Sequence, residues 1–435
     1  MLKQIFIALL FCTAGMQSTK AQVTAAMRDS VLNTLAAKLE EQYVFADKGA
    51  AAAATIRQYH KAKRYNAIAE ETALAAMLTT DLQTLLSDKH LRVGYSPDVL
   101  PPVEAVQMEI PEGEKAQYAD YLRHDNYGIG SLQVLQGNIG YIDFKYFCTP
   151  QFAGDSYAAM MNYVAGTDAL IIDLRRCSGS TSPDAIPFIA SYLFEKPTHL
   201  NDLYWRKGNT TQQQWTYAQV PGKRYLDKPV FVLTSNATFS GAEEFAYDLK
   251  HLKRATIMGG ITGGGANSGG IITLSSHYNV FMPSGRAINP VTKTNWEGTG
   301  VVPDSVMNPN KALHAATVAA LDTILKSTTD EGYKQYLTGV ITEAKKNAPV
   351  YLPVTFELQG YAGAKKVSVA GSFNGWQAGS LKMEHKAGRW IATTEAEPGK
   401  LAYKFIVDGQ WITDPGNEAT EGNGDNINSV KIVNQ

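Results

Sequence analysis

Apolar residues between about 23 and 84 recur at helical spacing. Met27, Val31, Leu35 and Leu39 fall every fourth residue, with Leu32 and Tyr43 widening the stripe. The alanine-rich stretch beginning at Ala50 adds high helix propensity, so this region predicts a small helical bundle. After Asp98 the prolines Pro101, Pro102 and Pro111 mark a linker running to about Asn126. The pattern then changes to short apolar runs bounded by turns: IGYIDF from Ile139, ALIIDL from Ala169, VFVLT from Val230 and ATIMG from Ala255. These have the length of buried strands, and helical stretches at 156–164 and 240–252 lie between them. The alternation predicts an α/β layered core.

A further helical pair is predicted over 311–346, and Ala348-Pro349 marks a boundary. From Val354 the segments become short and alternating, with Gly and Pro turns: TFELQG, KKVSVAGSF, RWIATTEA, LAYKFIVDGQWI and NSVKIV. That pattern predicts an all-β sandwich of roughly 85 residues, an ordinary size for a domain. The expected division is residues 1–21, 22–98, 99–346 and 350–435.

Composition narrows the function classes. The chain has 435 residues with 44% hydrophobic content, enough for two or three domains with real cores. Lys+Arg at 40 against Asp+Glu at 41 leaves a formal charge of −1, which argues against an electrostatic nucleic-acid binder. Lys3, the apolar run from Ile5 to about Ala14 and a polar stretch ending at Ala21 read as a secretory signal peptide cut near Ala21. An exported, periplasmic or extracellular protein without a membrane span is expected, because no later run approaches the roughly 20 apolar residues that spanning requires. Phe11 stands where a lipid-attachment box wants a small residue, which disfavours lipidation at Cys12. Of three cysteines only Cys148 and Cys177 would remain, either bridged or as two buried thiols.

Four segments carry candidate chemistry. In VFVLTSNATFSGAEEFAYDLK a strand ends, a polar turn follows, and Ser240-Gly241-Ala242 opens an amphipathic helix. A serine there can project its oxygen while the Gly241 amide points at the same place, helped by the positive helix end. The plainer reading is that Ser240 only caps the helix. ALIIDLRRCSGSTS offers Gly179, whose backbone can approach a ligand closely or simply turn the chain. SDKHLRV places His90 between a polar turn and a strand-like run, and NWEGTGVVPD places Glu297 beside Trp296 before a Gly-rich turn.

Together with GGITGGGAN and SGRAINPVTKTNWEGTGVVPD, these segments resemble the tricorn and tail-specific serine peptidases, in the branch of the interphotoreceptor retinoid-binding protein. The resemblance covers most of residues 23–324. It implies a crotonase-like (ClpP/crotonase) α/β core, serine-dependent peptide hydrolysis, and neither metal nor cofactor. It also implies Ser240 as nucleophile, His90 as general base, Glu297 as the supporting acid, and Gly179 with Gly241 as oxyanion donors. The chain departs from the family in three places. The turn ITGGGANSGG lacks the lysine base of the tail-specific branch, leaving a Ser–His mechanism. Lys89 precedes His90 where tricorn has a serine, so Glu297 is expected to reach His90 directly or through water, or to pair with Lys89. Residues 98–126 are too few for a PDZ-type peptide-binding domain. An inactive scaffold that binds a hydrophobic ligand, a polypeptide or a glycan is the alternative.

At the C-terminal end VAGSFNGW, RW, PGKLAYKFIVDGQWITDP and DNINSV resemble the glycogen-binding module of the AMP-activated kinase β subunit. The resemblance implies an immunoglobulin-like β-sandwich that binds α-glucan, with Trp376 and Trp411 as stacking platforms and Lys404 and Asn428 as polar partners. Trp390, on an alternating strand, reads as core. A docking or stability domain without sugar is the alternative.

Overall fold

The computed structural model describes residues 22–104 and 112–434. The expected signal peptide, Cys12 and Pro111 lie outside them. Three helices, Ala25–Gln42, Ala46–Lys61 and Glu71–Leu86, form the N-terminal bundle, the first capped by Thr24 Oγ1, which accepts from Met27 N at 3.1 Å. Val31, Leu35, Leu39, Ile56, Leu74 and Leu78 are fully buried in it. The helices do not close this core alone. Ile272, Tyr278, Val280 and Met282 complete it from the antiparallel sheet of Arg92–Tyr95, Tyr278–Pro283 and Gly269–Thr273, with Leu274 from the connection between the last two strands. The sheet is assembled from distant stretches, and it fixes His90 on the loop between the helix Glu71–Leu86 and the strand Arg92–Tyr95. The region expected to be linker is partly helical, at Lys115–His124.

The central sheet has six strands in the order Ser305–Val306, Thr256–Gly259, Val230–Thr234, Ala169–Asp173, Ile139–Phe144 and Ile129–Leu135. All neighbours are parallel except the last pair. The period of two assigns alternate residues to opposite layers. Leu170, Ile172, Val230 and Val232 pack on helices Pro150–Val164, Ala185–Ala190 and Gly241–His251, whereas Ala169, Ile171, Phe231 and Leu233 pack on helices Pro309–Ser327 and Glu331–Lys346. Buried on both faces, these strands read as continuous apolar runs. Cys148 and Cys177 are free and fully buried in this core. Burial pushes their thiols up to about 11 and about 12, so neither is a ready nucleophile. Among the described residues no helix is long and apolar enough to cross a membrane.

The C-terminal sandwich packs Val354, Phe356, Leu358 and Trp390 of one sheet against Val367, Val369, Leu401, Tyr403 and Phe405 of the other. It is tied to the helix Pro309–Ser327 by a Lys311–Glu395 ion pair at 2.8 Å and a bond from Asn310 Nδ2 to the Phe373 carbonyl at 2.8 Å.

Candidate active site

The buried strand Val230–Thr234 ends in a turn held by its own hydroxyls. Thr238 Oγ1 accepts from Ser235 N at 2.9 Å and donates to the Leu174 carbonyl at 2.7 Å. Ser240 then adopts φ 53° and ψ −123°, a left-handed conformation that costs a non-glycine residue about 1–3 kcal/mol. Ser240 and Glu243 occupy the positions of a capping box, but the bonds made are those of the backbone and the carboxylate. Ser240 N donates to Glu243 Oε2 at 2.9 Å and Glu243 N donates to the Ser240 carbonyl at 2.8 Å, while the Ser240 side chain makes no cap bond. Strain without a capping bond is what a presented nucleophile needs and what a structural cap does not.

Gly179 and Gly241 flank that serine. A Cβ at Gly179 (φ +132°) would stand 3.0 Å from Ser240 Cβ and 3.5 Å from Gly241 N, and one at Gly241 would stand 2.5 Å from Ser180 Oγ. The two loops are stitched by Phe239 N donating to the Cys177 carbonyl at 3.1 Å. Neither the Gly179 nor the Gly241 N–H has a partner among the described hydrogen bonds, and the latter opens the helix Gly241–His251, whose dipole favours negative charge there.

His90 is buried, its ring 4.5 Å from that of Phe239 and stacked on Phe281 at 5.5 Å. A Cβ on Gly265 would lie 2.7 Å from His90 Cε1, so only glycine lets the Gly-rich turn pass the imidazole. Burial, and secondarily Arg92, push His90 down to about 4. No hydrogen bond joins it to Ser240. Its Nδ1 is sealed from solvent and unpaired, 3.9 Å from Asp88 Oδ1. Asp88, Glu297 and His90 bring their ligand-type atoms within 4.8 Å of one another, a set that could hold a cation as well as orient an imidazole. Asp88 was absent from the residues singled out in the sequence. It is 1% exposed, and its carboxylate accepts from His90 N at 3.0 Å, Asn267 Nδ2 at 2.8 Å and Tyr43 OH at 3.2 Å. Its position two residues before His90 was the available signal.

Glu297 Oε2 accepts from Ala266 N at 2.6 Å and Asn267 N at 3.1 Å, and Oε1 is buried and unpaired. Burial first and Asp88 second push its carboxyl up to about 8, while burial also raises Asp88. Two carboxyls this close share a proton. The three donors on Asp88 place the negative charge there and the proton on Glu297. Lys89 does not pair with Glu297, an option the sequence left open. Its Nζ donates to the Gly263 carbonyl in the Gly-rich turn, which lies within reach of an extended lysine. Glu243 ties that turn to Ser240: besides Ser240 N it accepts from Thr262 Oγ1, Gly264 N and Gly265 N.

In the sandwich, strand register decides which residues share a face. Lys404 pairs with Ala370, Ile406 with Trp411, Ala402 with Val430 and Glu421 with Asn428. Lys404, Trp411 and Asn428 therefore lie on the face opposite core residues Tyr403 and Phe405. Trp376 (φ 60°) reaches Trp411 with ring centroids 6.5 Å apart, and Trp411 is 44% exposed. Trp390 is buried and donates from Nε1 to the Tyr361 carbonyl at 3.2 Å.

A strained serine, an adjacent pair of unpartnered amides and a buried histidine beside carboxylates are the groups from which a serine-type hydrolase can be built. Residues 138–307 match the model of Peptidase family S41, preceded at 19–120 by a match to the N-terminal domain of Peptidase_S41 in eukaryotic IRBP, which supports a serine-type peptidase. Residues 352–435 match the glycogen recognition site of AMP-activated protein kinase. Over 89 residues the chain is 33% identical to the 5'-AMP-activated protein kinase subunit beta-1 of Mus musculus, covering 20% of this chain and 32% of that protein. The chain thus spans about a third of the curated relative it matches. A lipoprotein from Streptococcus agalactiae (TM-score 0.45, 15% identity, 67% of this chain and 96% of that chain) and the photosystem II D1 C-terminal processing protease (0.41, 15%, 66% and 95%) are similar solved structures.

Proposed function

We propose that the protein is an exported endopeptidase that cleaves unstructured polypeptides through an acyl-enzyme on Ser240. In this reading His90 Nε2 takes the Ser240 proton and Oγ attacks the peptide carbonyl. The Gly179 and Gly241 amides hold the oxyanion, and His90 returns the proton to the leaving amine. Water, deprotonated by the same imidazole, then releases the acyl group. Asp88 orients His90 and stabilises its charged form, with the Glu297 carboxyl in support; drawing Nδ1 toward the Asp88 carboxylate, 3.9 Å away, by about 1 Å on substrate binding would complete that bond. The observation that carries the reading is the strained, uncapped Ser240 set between two unpartnered glycine amides. Ser240→Ala should abolish casein cleavage, with a loss of several orders of magnitude. Cleavage at the wild-type rate by that variant would reduce Ser240 to a helix start.

The same reading takes residues 22–98 as the helical domain, 99–346 as a crotonase-like core and 350–435 as an immunoglobulin-like module. The module binds α-glucan on the face carrying Trp376, Trp411, Lys404 and Asn428; what supports this is the aromatic pair lying beside hydrogen-bonding groups. In gels containing glycogen or amylose the protein should be retarded and a Trp376→Ala, Trp411→Ala variant should not. Equal mobility of the two would remove the sugar.

A further inference from the structure

We propose that the cleft between the peptidase core and the β-sandwich is a second substrate site, which takes an extended, uncharged segment of the polypeptide being cleaved; this rests on the hydrolase reading above. The cleft has a volume of about 680 Å³, within the range of ligand sites. Its floor is formed by Arg175, Ser235 and Gly260, which follow the adjacent parallel strands Ala169–Asp173, Val230–Thr234 and Thr256–Gly259. The crevice outside the carboxyl ends of parallel strands is where α/β sheets bind ligands. Two wall residues lead straight to the chemistry. Ala237 precedes Ser240 by three residues and Arg176 precedes Gly179 by three, so chain geometry puts each within about 11 Å of its partner.

The lining selects the ligand. Every charged residue in it is already paired: Arg175 with Asp173 at 2.6 Å, Arg176 with Asp143 at 2.9 Å and Glu395 with Lys311 at 2.8 Å. A charged ligand would therefore gain little. The side-chain amides of Asn236 and Gln377 also line the cleft, with no intramolecular hydrogen bond described for either, and each offers both a donor and an acceptor, the complement of a peptide unit. Ile261, 44% exposed, supplies an apolar contact. A sugar would want an exposed aromatic face, but the sole aromatic in the lining, Phe373, is 7% exposed and stacked on Phe356. The roof is held by the Lys311–Glu395 pair and by the Asn310 bond to the Phe373 carbonyl. The module thereby supplies a wall for substrate in a chain too short at 98–126 for a PDZ domain.

The test places a bulky residue on the roof, Gln377→Trp, in the full chain. Casein cleavage should show a KM raised about tenfold, while kcat/KM for a short chromogenic peptide that reaches only Ser240 stays unchanged. Equal losses on both substrates, or none on casein, would overturn the proposal. Binding is read separately by fluorescence anisotropy of a labelled casein fragment on Ser240→Ala, where adding Gln377→Trp should weaken affinity about tenfold. If the wild type cleaves neither substrate, the hydrolase reading fails, and anisotropy still decides the cleft: binding insensitive to Gln377→Trp, or no binding, overturns it. Displacement of the fragment by maltoheptaose from a protein whose Trp376 and Trp411 are both alanine would make the cleft a sugar site and overturn it too. Should Gln377→Trp lower the melting temperature, Gln377→Ala gives the same sign with a smaller shift.

Discussion

His90 concentrates the chemistry of the site in one ring. Buried between Phe239 and Phe281, it is pushed down to about 4, so it remains a neutral base at pH values where an exposed imidazole, at about 6.5, would be charged. Its contribution to stability is full above the unfolded value and is lost as pH falls through about 4. Glu297 has the opposite sign. With its carboxyl raised to about 8, its contribution is full below the unfolded value near 4.5 and is lost as pH rises through about 8. The acid limb of kcat/KM should consequently lie well below 6.5. Asp88→Asn puts an amide against three donors and removes the charge facing Nδ1. It should lower kcat by roughly 100-fold or more with little change in KM and move the acid limb further down. A limb at or above 6.5 in the wild type, or an Asp88→Asn kcat like that of the wild type, would remove Asp88 from the positioning role.

At the scale of elements, the helix Gly241–His251 and the Gly-rich turn act as one unit through Glu243. Its carboxylate, fully buried, receives four donors, from Ser240, Thr262, Gly264 and Gly265. Burial pushes the carboxyl up to about 7, and these donors hold it down against that push. Glu243→Ala leaves buried N–H and O–H groups unpaired and should cost on the order of 3 kcal/mol or more. Hydrogen exchange at the Gly264 and Gly265 amides should accelerate with it. An unchanged melting temperature and unchanged protection would show that the turn is held from elsewhere, Lys89 at Gly263 being the other anchor. This unit was only half legible in the sequence. Strand, turn and helix around Ser240 are local, so their pattern could be read directly. The other three partners of Glu243 lie 19 to 22 residues away, in a turn with no apolar periodicity to place it.

For the whole molecule, what the pattern reveals depends on contact range. The helices of the N-terminal bundle and the buried central strands follow from local periodicity, and the strained serine from a motif. The hairpin of residues 269–283 that closes the bundle's core is not legible in the pattern, because its apolar face meets partners some 200 residues earlier in the chain. Asp88 is silent in the sequence for the same reason: its meaning comes from Glu297 and Asn267, brought to it by folding. Lys89, an obvious departure beside His90, takes its role from a carbonyl 174 residues on. The helical bundle, α/β core and sandwich are assembled around Ser240, and the proposed function requires this serine to be a competent nucleophile. Labelling the full chain with a serine-directed fluorophosphonate, followed by intact mass and peptide mapping, tests that most directly. The account predicts one adduct per chain, located on Ser240 and lost in His90→Ala. A folded protein that acquires no adduct at Ser240 would contradict it.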